Sequence, residues 1–188
     1  MRIESKKPRP GTYRRRRRTQ RLQQRTNKMT IRHATVGDIA AVAGLVERYW
    51  EFESIGGFDR PRIEALLRDL LSDPERGACW VAEAEGGLCG YLLAVFMFSL
   101  EHGGLMAEID EVFVSPAMRS AGVGARLVAA AERDLAERGL VRLQLQLGVD
   151  NERARLFYER HGFRSRAGYE LLDKPLQEGD AGRHAQRI

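Results

Sequence analysis

The sequence predicts a single α/β domain built on a mixed, mostly antiparallel sheet flanked by helices, with a disordered basic tail in front of it. Two observations predict this fold. From residue 29 onward, stretches with strand alternation and stretches with helical periodicity follow one another in the order β-α-α-β-β-β-α-β-α-β. Glycine turns join some of the strands directly, whereas helices join others, so hairpins and crossovers belong to one sheet.

The net positive charge of the chain comes entirely from the first 28 residues. They contain twelve Lys or Arg and one acid, whereas the other 160 residues of the 188-residue chain hold 19 basic and 25 acidic side chains, a net −6. With so few apolar residues, this segment cannot offset its own ordering entropy. We expect a disordered Arg-rich tail at 1–28, a folded domain at 29–176 and a polar C-terminal tail at 177–188.

The tail has two interpretations. It is either an arm for nucleic acid or another anionic surface, or an extension without a role. Met29 opens the foldable sequence and favours the second interpretation. Nucleic acid is therefore not an expected partner except through the tail.

Hydropathy and cysteine content exclude several classes of protein. The densest apolar stretch, residues 91–100, has the length of a buried strand, and no apolar segment follows the basic N-terminus as in a secretory signal. We therefore expect a cytoplasmic protein without a membrane span. Two cysteines, Cys79 and Cys89, can build neither a disulfide framework nor a zinc cluster, so no metal is expected.

The first predicted elements are a strand and two helices. Residues 30–34 form a short strand, and Thr35 with Asp38 forms a capping box that starts a helix near Val36. A second helix follows Pro61 and ends around 73–74, where Asp-Pro stops it. The apolar stripes of the two helices are Ile39, Val42, Val46, Tyr49 and Trp50 in the first, and Ile63, Leu66, Leu67 and Leu70 in the second.

Three predicted strands follow. Residues 78–85 and 88–99 form a hairpin around Gly86-Gly87, which places Cys89 opposite Ala84. Residues 105–114 form the next strand. Strict alternation places Glu108, Asp110, Val112 and Val114 on one face of it, and Ile109, Glu111 and Phe113 on the other.

The remaining predicted elements alternate between helix and strand. A helix over 122–138 is closed by Gly139, a strand covers 141–147, a helix covers 151–161, and residues 169–172 form a last strand. The inward stripe of the 122–138 helix is Val123, Leu127, Ala130, Ala131 and Leu135.

A turn between a strand and a helix contains the most informative motif. Arg119, Gly122 and Gly124 are spaced as R-x-x-G-x-G directly before the helix. Glycines allow close approach of the backbone, the helix N-terminus presents unpaired N–H groups, and the arginine adds positive charge, a combination suited to a pyrophosphate. No Gly-Lys-Ser/Thr follows, so this is not a P-loop, and the third glycine of a dinucleotide fingerprint is missing.

A second motif lies 27 residues further on, where residues 151–163 read N-x-x-A-x-x-x-Y-x-x-x-G-F. Together with the turn, it resembles the GCN5-related N-acetyltransferase (GNAT) superfamily over residues 30–175, in a bacterial branch of unassigned acceptor. The resemblance implies the acyl-CoA N-acyltransferase fold and acetyl-CoA as cosubstrate. One departure is Ser120, where the family usually has glycine.

The resemblance also implies residue roles. The turn would hold the pyrophosphate, Asn151 would contact the cosubstrate, and Tyr158 would protonate the leaving thiolate. The alternative for Tyr158 is a core tyrosine. The residues expected to contact acetyl-CoA are Phe113, Val114, Arg119, Ser120, Ala121, Gly122, Val123, Gly124, Ala125, Asn151, Ala154 and Tyr158.

The chemistry of acetyl transfer to an amine requires a base, carbonyl polarisation and a proton donor. Asp110 or Glu108 could accept the amine proton, although both could equally be a solvated strand face. Backbone N–H groups near Phe113 and Val114 could polarise the carbonyl if the 105–114 strand splays from the 141–147 strand, as the resemblance implies. Because neither cysteine has a nearby activating partner, direct transfer in a ternary complex is expected.

The acceptor is predicted less specifically. Glu51, Glu53 and Glu101, together with Asp59, lie in regions that line acceptor sites in related enzymes, where they would favour a cationic amine; solvated surface charge is the alternative. We therefore expect an acetyl-CoA-dependent N-acetyltransferase acting on a primary amine of a small molecule or a protein, as a monomer or a homodimer. The other hypotheses are an acyl-CoA-binding sensor without turnover and a nucleic-acid-binding protein acting through the tail.

Overall fold

One five-stranded sheet organises the chain in the computed structural model, which describes residues 29–166 and 168–176. The strands are β1 (Thr30–His33), β2 (Gly77–Ala84), β3 (Gly87–Ser99), β4 (Gly104–Val114) and β5 (Arg142–Leu145). They lie in the order β1-β2-β3-β4-β5, with every pair antiparallel except β4 and β5, which are parallel. The predicted fold class is thereby confirmed. The two predicted tails, 1–28 and 177–188, lie outside the described residues.

Four helices cover the two faces of the sheet. They are α1 (Ile39–Glu53), α2 (Arg60–Ser72), α3 (Val123–Glu137) and α4 (Glu152–Arg160), and two 3₁₀ turns, Val36–Asp38 and Pro116–Met118, precede α1 and α3. The predicted capping box lies at the first of these turns, where the Thr35 N–H donates to the Asp38 carboxylate at 2.8 Å. The helix that was predicted to begin near Val36 thus starts as 3₁₀ and becomes α-helical at Ile39.

Helices α1 and α2 pack on one face of the sheet. Val42 and Leu45 of α1 are completely buried against Tyr91 of β3 and Phe113 of β4. Most of the predicted stripe residues join this core, but Leu66 of α2 is 52% exposed, so its inclusion in the stripe was wrong. It lies beside the buried Leu67 but outside the arc that faces the sheet.

Helices α3 and α4 pack on the opposite face. The predicted stripe of α3 is buried throughout and covers Trp80, Leu92 and Ile109 of the central strands. The indole N–H of Trp80 donates to Asp134 of α3 at 2.7 Å, which satisfies the polar atom of a side chain that is otherwise fully buried.

Two predictions about strand pairing are wrong. Ala84 pairs with Gly87, so the loop is Glu85-Gly86 rather than Gly86-Gly87, and Cys89 does not face Ala84. One irregularity between Ala82 and Glu83 leaves Cys89 as the extra residue of β3, and the Cys89 thiol contacts the Ala82 carbonyl at 3.3 Å. Turn residues alone could not set this register, because two adjacent glycines permit either loop.

The predicted final strand is also wrong. Residues 168–176 contain neither helix nor strand in the structure. The apolar side chains that indicated a strand, Tyr169, Leu171 and Leu172, are between 67% and 82% exposed. These side chains do not pack against a face of the sheet, so a strand here would not be stabilised by burial of its apolar residues.

A β-bulge at Asp110 interrupts β4. Leu93 of β3 pairs with Glu111 and its neighbour Ala94 pairs with Ile109, which leaves Asp110 as the extra residue. The bulge shifts one half of β4 relative to the other: Ile109 packs on the α3 side with Val112 and Val114, whereas Glu111 and Phe113 lie on the α1 side. The predicted grouping is therefore confirmed within residues 111–114, and it is wrong in placing Ile109 on the face of Glu111 and Phe113.

Within the described ranges, no helix is long and apolar enough to cross a membrane.

Candidate active site

A cleft opens where β4 and β5 part. The two strands pair only from Met106–Arg142 to Ile109–Leu145, and beyond this point they diverge. The cleft has a volume of about 640 Å³ and is lined by the second half of β4, the turn before α3, the chain after β5, and α4. This is the splaying that the resemblance implied.

Most of the predicted cosubstrate residues line this cleft. They are Phe113, Val114, Arg119, Ser120, Gly122, Val123, Gly124, Ala125, Asn151, Ala154 and Tyr158, whereas Ala121 is not among the lining residues. The two motifs, separate in sequence, thus line one cleft.

The turn before α3 depends on left-handed backbone at two positions. Gly122, the N-cap of α3, has φ +74°, and a Cβ added there would meet no protein atom within 4 Å. Ser120 has φ +68°, a conformation that non-glycine residues adopt at a cost of about 1–2 kcal/mol. The departure from the family's glycine therefore lies at a strained position. The first N–H groups of α3 have no intrahelical partner and face a site suited to an anion.

Arg119 is held beside this turn. Its Nε donates to the Val114 carbonyl at 3.1 Å, and its guanidinium carbon lies 4.4 Å from the ring centre of Phe52 and 5.7 Å from that of Phe113. Stacking on aromatic faces leaves the edge of a guanidinium available for phosphate. Phe52, at the end of α1, therefore orients the arginine that the motif predicted.

The backbone of β4 presents N–H groups toward the cleft. Ser115 N–H donates to the Cys89 carbonyl of β3, and N–H direction alternates along an antiparallel strand. The N–H groups of Val112 and Val114 therefore point to the opposite edge, which β5 has left. Of the two predicted polarising residues, Val114 fits this geometry, whereas the N–H of Phe113 is directed to β3.

Asn151 has a structural role at the start of α4. It is the N-cap residue, and its Oδ1 accepts the Ala154 N–H at 3.1 Å. The side-chain oxygen accepts this cap hydrogen bond, and the Nδ2 group is the donor that Asn151 can offer to a ligand.

Tyr158 lies in the cleft wall, 8% exposed, with edge-on contacts to the rings of Phe157 and Phe163 at 5.1 and 5.3 Å. Burial, and to a lesser degree the neighbouring Tyr49, raises its pKa to about 12. The hydroxyl therefore keeps its proton throughout the neutral range, which is the form that a proton donor requires.

The two predicted bases are placed differently by the bulge. Asp110 lines the cleft, whereas Glu108 does not; its two carboxylate oxygens accept from the side-chain amides of Gln144 at 2.6 Å and Gln146 at 2.7 Å. Although Asp110 reaches solvent, desolvation by nearby protein atoms raises its pKa, and the charge of Glu108 raises it further. A carboxylate with a raised pKa is a stronger base.

Glu111 ties the bulge to α1. It accepts the indole N–H of Trp50 at 2.9 Å and the hydroxyl of Tyr91 at 2.6 Å. Burial raises its pKa, while these two hydrogen bonds oppose the rise. The network fixes the last turns of α1, which supply Tyr49, Phe52 and Glu53 to the cleft.

The predicted acceptor acids do not lie together. Glu53 lines the cleft, but Glu51 and Glu101 lie outside its lining residues, and Glu101 pairs with Arg166 at 2.9 Å. Asp59 caps α2 by accepting the Arg62 N–H at 3.0 Å. The position of these acids in or near α1 in the sequence does not indicate which of them face the cleft. The direction of each side chain depends on where each helix begins and ends.

Other lining residues were not predicted. They include Tyr49, Phe52, Gln146, Arg153 and Arg160. Tyr49 had been assigned only to the apolar stripe of α1, and no spacing distinguished the two arginines of α4 from the many others. Among the described residues, no group of three or more His, Cys, Asp or Glu side chains could hold a metal ion.

Comparison with known proteins agrees with this geometry. The sequence model of the "Acetyltransferase (GNAT) family" matches residues 39–163, more than half of the chain. The chain is 32% identical over 141 residues to the uncharacterized N-acetyltransferase YhfO of Bacillus subtilis, which covers 75% of this chain and 93% of that protein. It is 30% identical over 134 residues to the aminoalkylphosphonate N-acetyltransferase of Salmonella typhimurium, covering 71% and 84%.

A solved structure shows the same fold. The aminoglycoside N-acetyltransferase AAC(6')-Iy, in complex with CoA, superimposes with a TM-score of 0.68 at 21% identity, covering 78% of this chain and 94% of that one.

Proposed function

This chain belongs to the acetyltransferase (GNAT) family, and from that premise we propose that it transfers an acetyl group from acetyl-CoA to a primary amine by direct attack in a ternary complex. One observation carries the proposal. The R-x-x-G-x-G turn, the N–H groups of β4, Asp110 and Tyr158 all border the same cleft between the splayed ends of β4 and β5.

The residues at the α3 end fit the pyrophosphate of acetyl-CoA. Open space at Gly122 admits a phosphate against the backbone, the first turn of α3 offers N–H donors, and Arg119 adds a charge-assisted contact. The CoA complex of the superimposable aminoglycoside N-acetyltransferase supports this choice of cosubstrate.

The middle of the cleft fits the thioester. The N–H groups of Val112 and Val114 are directed to the edge of β4 that β5 vacates, where they polarise a carbonyl as the charge on its oxygen grows. The Tyr158 hydroxyl then donates its proton to the departing sulfur.

Asp110 removes the proton from the incoming amine. An alkyl amine is mostly protonated at neutral pH, so a base must remove this proton before the nitrogen attacks the thioester. Asp110 reaches the cleft at the bulge, next to the polarising N–H groups, and its raised pKa suits this role. Glu108 acts through Asp110, since its own oxygens are occupied by two glutamine amides.

The acceptor is a primary aliphatic amine of a small molecule or a protein. The carboxylate of Asp110 gives this end of the cleft a negative character that favours a cationic group. The relative that acts on aminoalkylphosphonates and the structural neighbour that acts on aminoglycosides both support an amine acceptor.

The experiment is a CoA-release assay across a panel of amines, with mass spectrometry of the acetylated product. The panel contains an aminoalkylphosphonate, an aminoglycoside, a polyamine, single amino acids and a basic peptide. We expect release of one CoA per acetylated amine. If the protein binds acetyl-CoA but releases no CoA in the presence of any amine of the panel, it is instead an acyl-CoA sensor.

A pair of variants ties the activity to the cleft. Gly122→Val and Gly139→Val place the same side chain at similar left-handed φ values, +74° and +79°, at the two ends of α3, and both have open space around the new Cβ. The strain is matched, but only Gly122 lines the cleft. We expect loss of acetyl-CoA binding in Gly122→Val alone, and equal loss in both variants would contradict this placement.

A further inference from the structure

Two arginines of α4 lie beside the phosphate-binding turn without a role in the chemistry proposed above. Arg153 and Arg160 both line the cleft. Neither forms an ion pair with a carboxylate in the part of the chain that the structure describes. By contrast, Arg166, which lies after α4, is paired with Glu101.

The packing of α4 on α3 sets the direction of these arginines. A Cβ placed on Gly124, in the first turn of α3, would lie 3.5 Å from Cζ of Phe157, so Phe157 faces the turn. Arg153 precedes Phe157 by four residues and Arg160 follows it by three, and these spacings place side chains on the same side of a helix. The two guanidinium groups therefore flank the contact between α4 and the turn.

A third guanidinium, that of Arg119, lines the same cleft. One pyrophosphate needs the turn, the N–H groups of α3 and Arg119, so the two arginines of α4 add more positive charge than this group requires. CoA carries a further phosphate, the monoester on the 3′-oxygen of its ribose, which has a higher charge than either phosphate of the pyrophosphate. Guanidinium groups bind such a phosphate through charge-assisted, often bidentate hydrogen bonds.

We propose that Arg153 and Arg160 form a second phosphate site that binds the 3′-phosphate of CoA, and that they thereby select 3′-phosphorylated CoA thioesters over dephospho forms. The inference rests on the proposed use of acetyl-CoA. It adds to that proposal a basis for discriminating among thioesters, which neither motif explains.

The test compares the binding of CoA and 3′-dephospho-CoA by isothermal titration calorimetry. We expect the wild-type protein to bind CoA at least about tenfold more tightly, as is usual for a charge-assisted contact. In the double variant R153Q/R160Q, we expect the ratio of the two affinities, CoA over 3′-dephospho-CoA, to fall close to one. In the wild-type protein the ratio also falls as salt is raised, because the site is open to solvent.

The control is Arg155→Gln, on the same helix and with the same loss of charge. Arg155 lies outside the lining of the cleft and donates to Ser165 and to the Val149 carbonyl. We expect this variant to keep the wild-type ratio, so that a general loss of positive charge on α4 is separated from loss of the site. Thermal unfolding of each variant checks that it is folded.

The outcomes separate this inference from the proposed function. If folded R153Q/R160Q keeps the wild-type preference for CoA over 3′-dephospho-CoA, the second phosphate site is overturned and the proposed acetyl transfer is unaffected. Equal binding of CoA and 3′-dephospho-CoA by the wild-type protein has the same meaning. Failure of the wild-type protein to bind CoA at all, together with no CoA release in the amine panel, overturns the proposed function itself.

Discussion

The two ends of the cleft are built in different ways. At the phosphate end, one continuous segment, residues 119–125, supplies backbone N–H groups, two left-handed turn positions and an arginine. At the acetyl-transfer end, Asp110 comes from β4, Tyr158 from α4, and Tyr49 from α1. The first end is formed by local backbone geometry, whereas the second is formed by packing between elements distant in sequence.

This difference predicts how each end responds to substitution. A site made of backbone is sensitive to added bulk and to changes in φ, and it tolerates changes of side-chain chemistry. A site made of converging side chains is sensitive to single functional groups whose removal leaves the fold unchanged. Loss of a single functional group should therefore have its largest effect at the acetyl-transfer end.

Tyr158→Phe tests the acetyl-transfer end most directly. The change keeps the ring contacts with Phe157 and Phe163 and removes the proton donor, so we expect kcat to fall by about 10²-fold or more where chemistry limits the rate. CoA affinity, measured by calorimetry, should remain unchanged. Tyr169→Phe, at a side chain that is 70% exposed and outside the cleft, is the control. Wild-type kcat in Tyr158→Phe would return this tyrosine to a packing role.

Asp110→Asn tests the base through its pH profile. A base works in its deprotonated form, so activity rises as pH rises through the pKa of Asp110, which lies above its ordinary value. We expect kcat/KM of the variant to fall by about tenfold or more. The loss should be largest just above the pKa of Asp110, where its carboxylate is ionised and neutral amine is still scarce. Full activity across the pH range would exclude Asp110 as the base.

Glu108→Gln separates the two acids. If Glu108 acts through Asp110, removing its charge lowers the pKa of Asp110, and the rising limb of kcat/KM moves to lower pH. If Glu108 were itself the base, activity would fall at every pH instead. The shape of the profile, rather than its height, therefore decides between the two candidates that the sequence left open.

Asn151 joins the two kinds of site, because its oxygen caps α4 and its amide can contact the cosubstrate. Asn151→Asp keeps an oxygen for the Ala154 N–H and removes the amide donor. We expect CoA affinity to fall by about three- to tenfold with little change in stability. Asn151→Ala should lose the affinity and also about 1 kcal/mol of stability from the missing cap. Wild-type CoA affinity in Asn151→Asp would limit Asn151 to capping.

The smallest effect is expected at the phosphate end, in Ser120→Gly. Relief of the left-handed strain at φ +68° is partly offset by the greater chain entropy of glycine in the unfolded state, so we expect a gain of about 0.5–1 kcal/mol in unfolding free energy. Urea denaturation measures it. Ser54→Gly, at φ +58° after α1, is a matched variant with the same strain outside the cleft. A loss of stability in both variants would show that the serines are not strained.

The same contrast explains what the sequence could predict. The stripe of α3, the turn at 119–125 and the alternation of Leu143 and Leu145 depend on local spacing, and the structure agrees with each of them. The bulge at Asp110 depends on how β3 and β4 align, which no residue within β4 encodes by itself. The pairing of Glu101 with Arg166 likewise depends on contacts across 65 positions of chain.

The bulge also has a consequence for comparing this chain with its relatives or redesigning it. Because Asp110 is the extra residue, deleting it would restore regular pairing, with Ile109 and Glu111 consecutive and on opposite faces, as they already are. The Glu111 carboxylate would keep its two donors, Trp50 and Tyr91, whereas the cleft would lose the Asp110 carboxylate. An ungapped alignment with a strand that lacks the bulge therefore exchanges the two faces on one side of Asp110, so residues 105–109 and 111–114 should be aligned as separate segments.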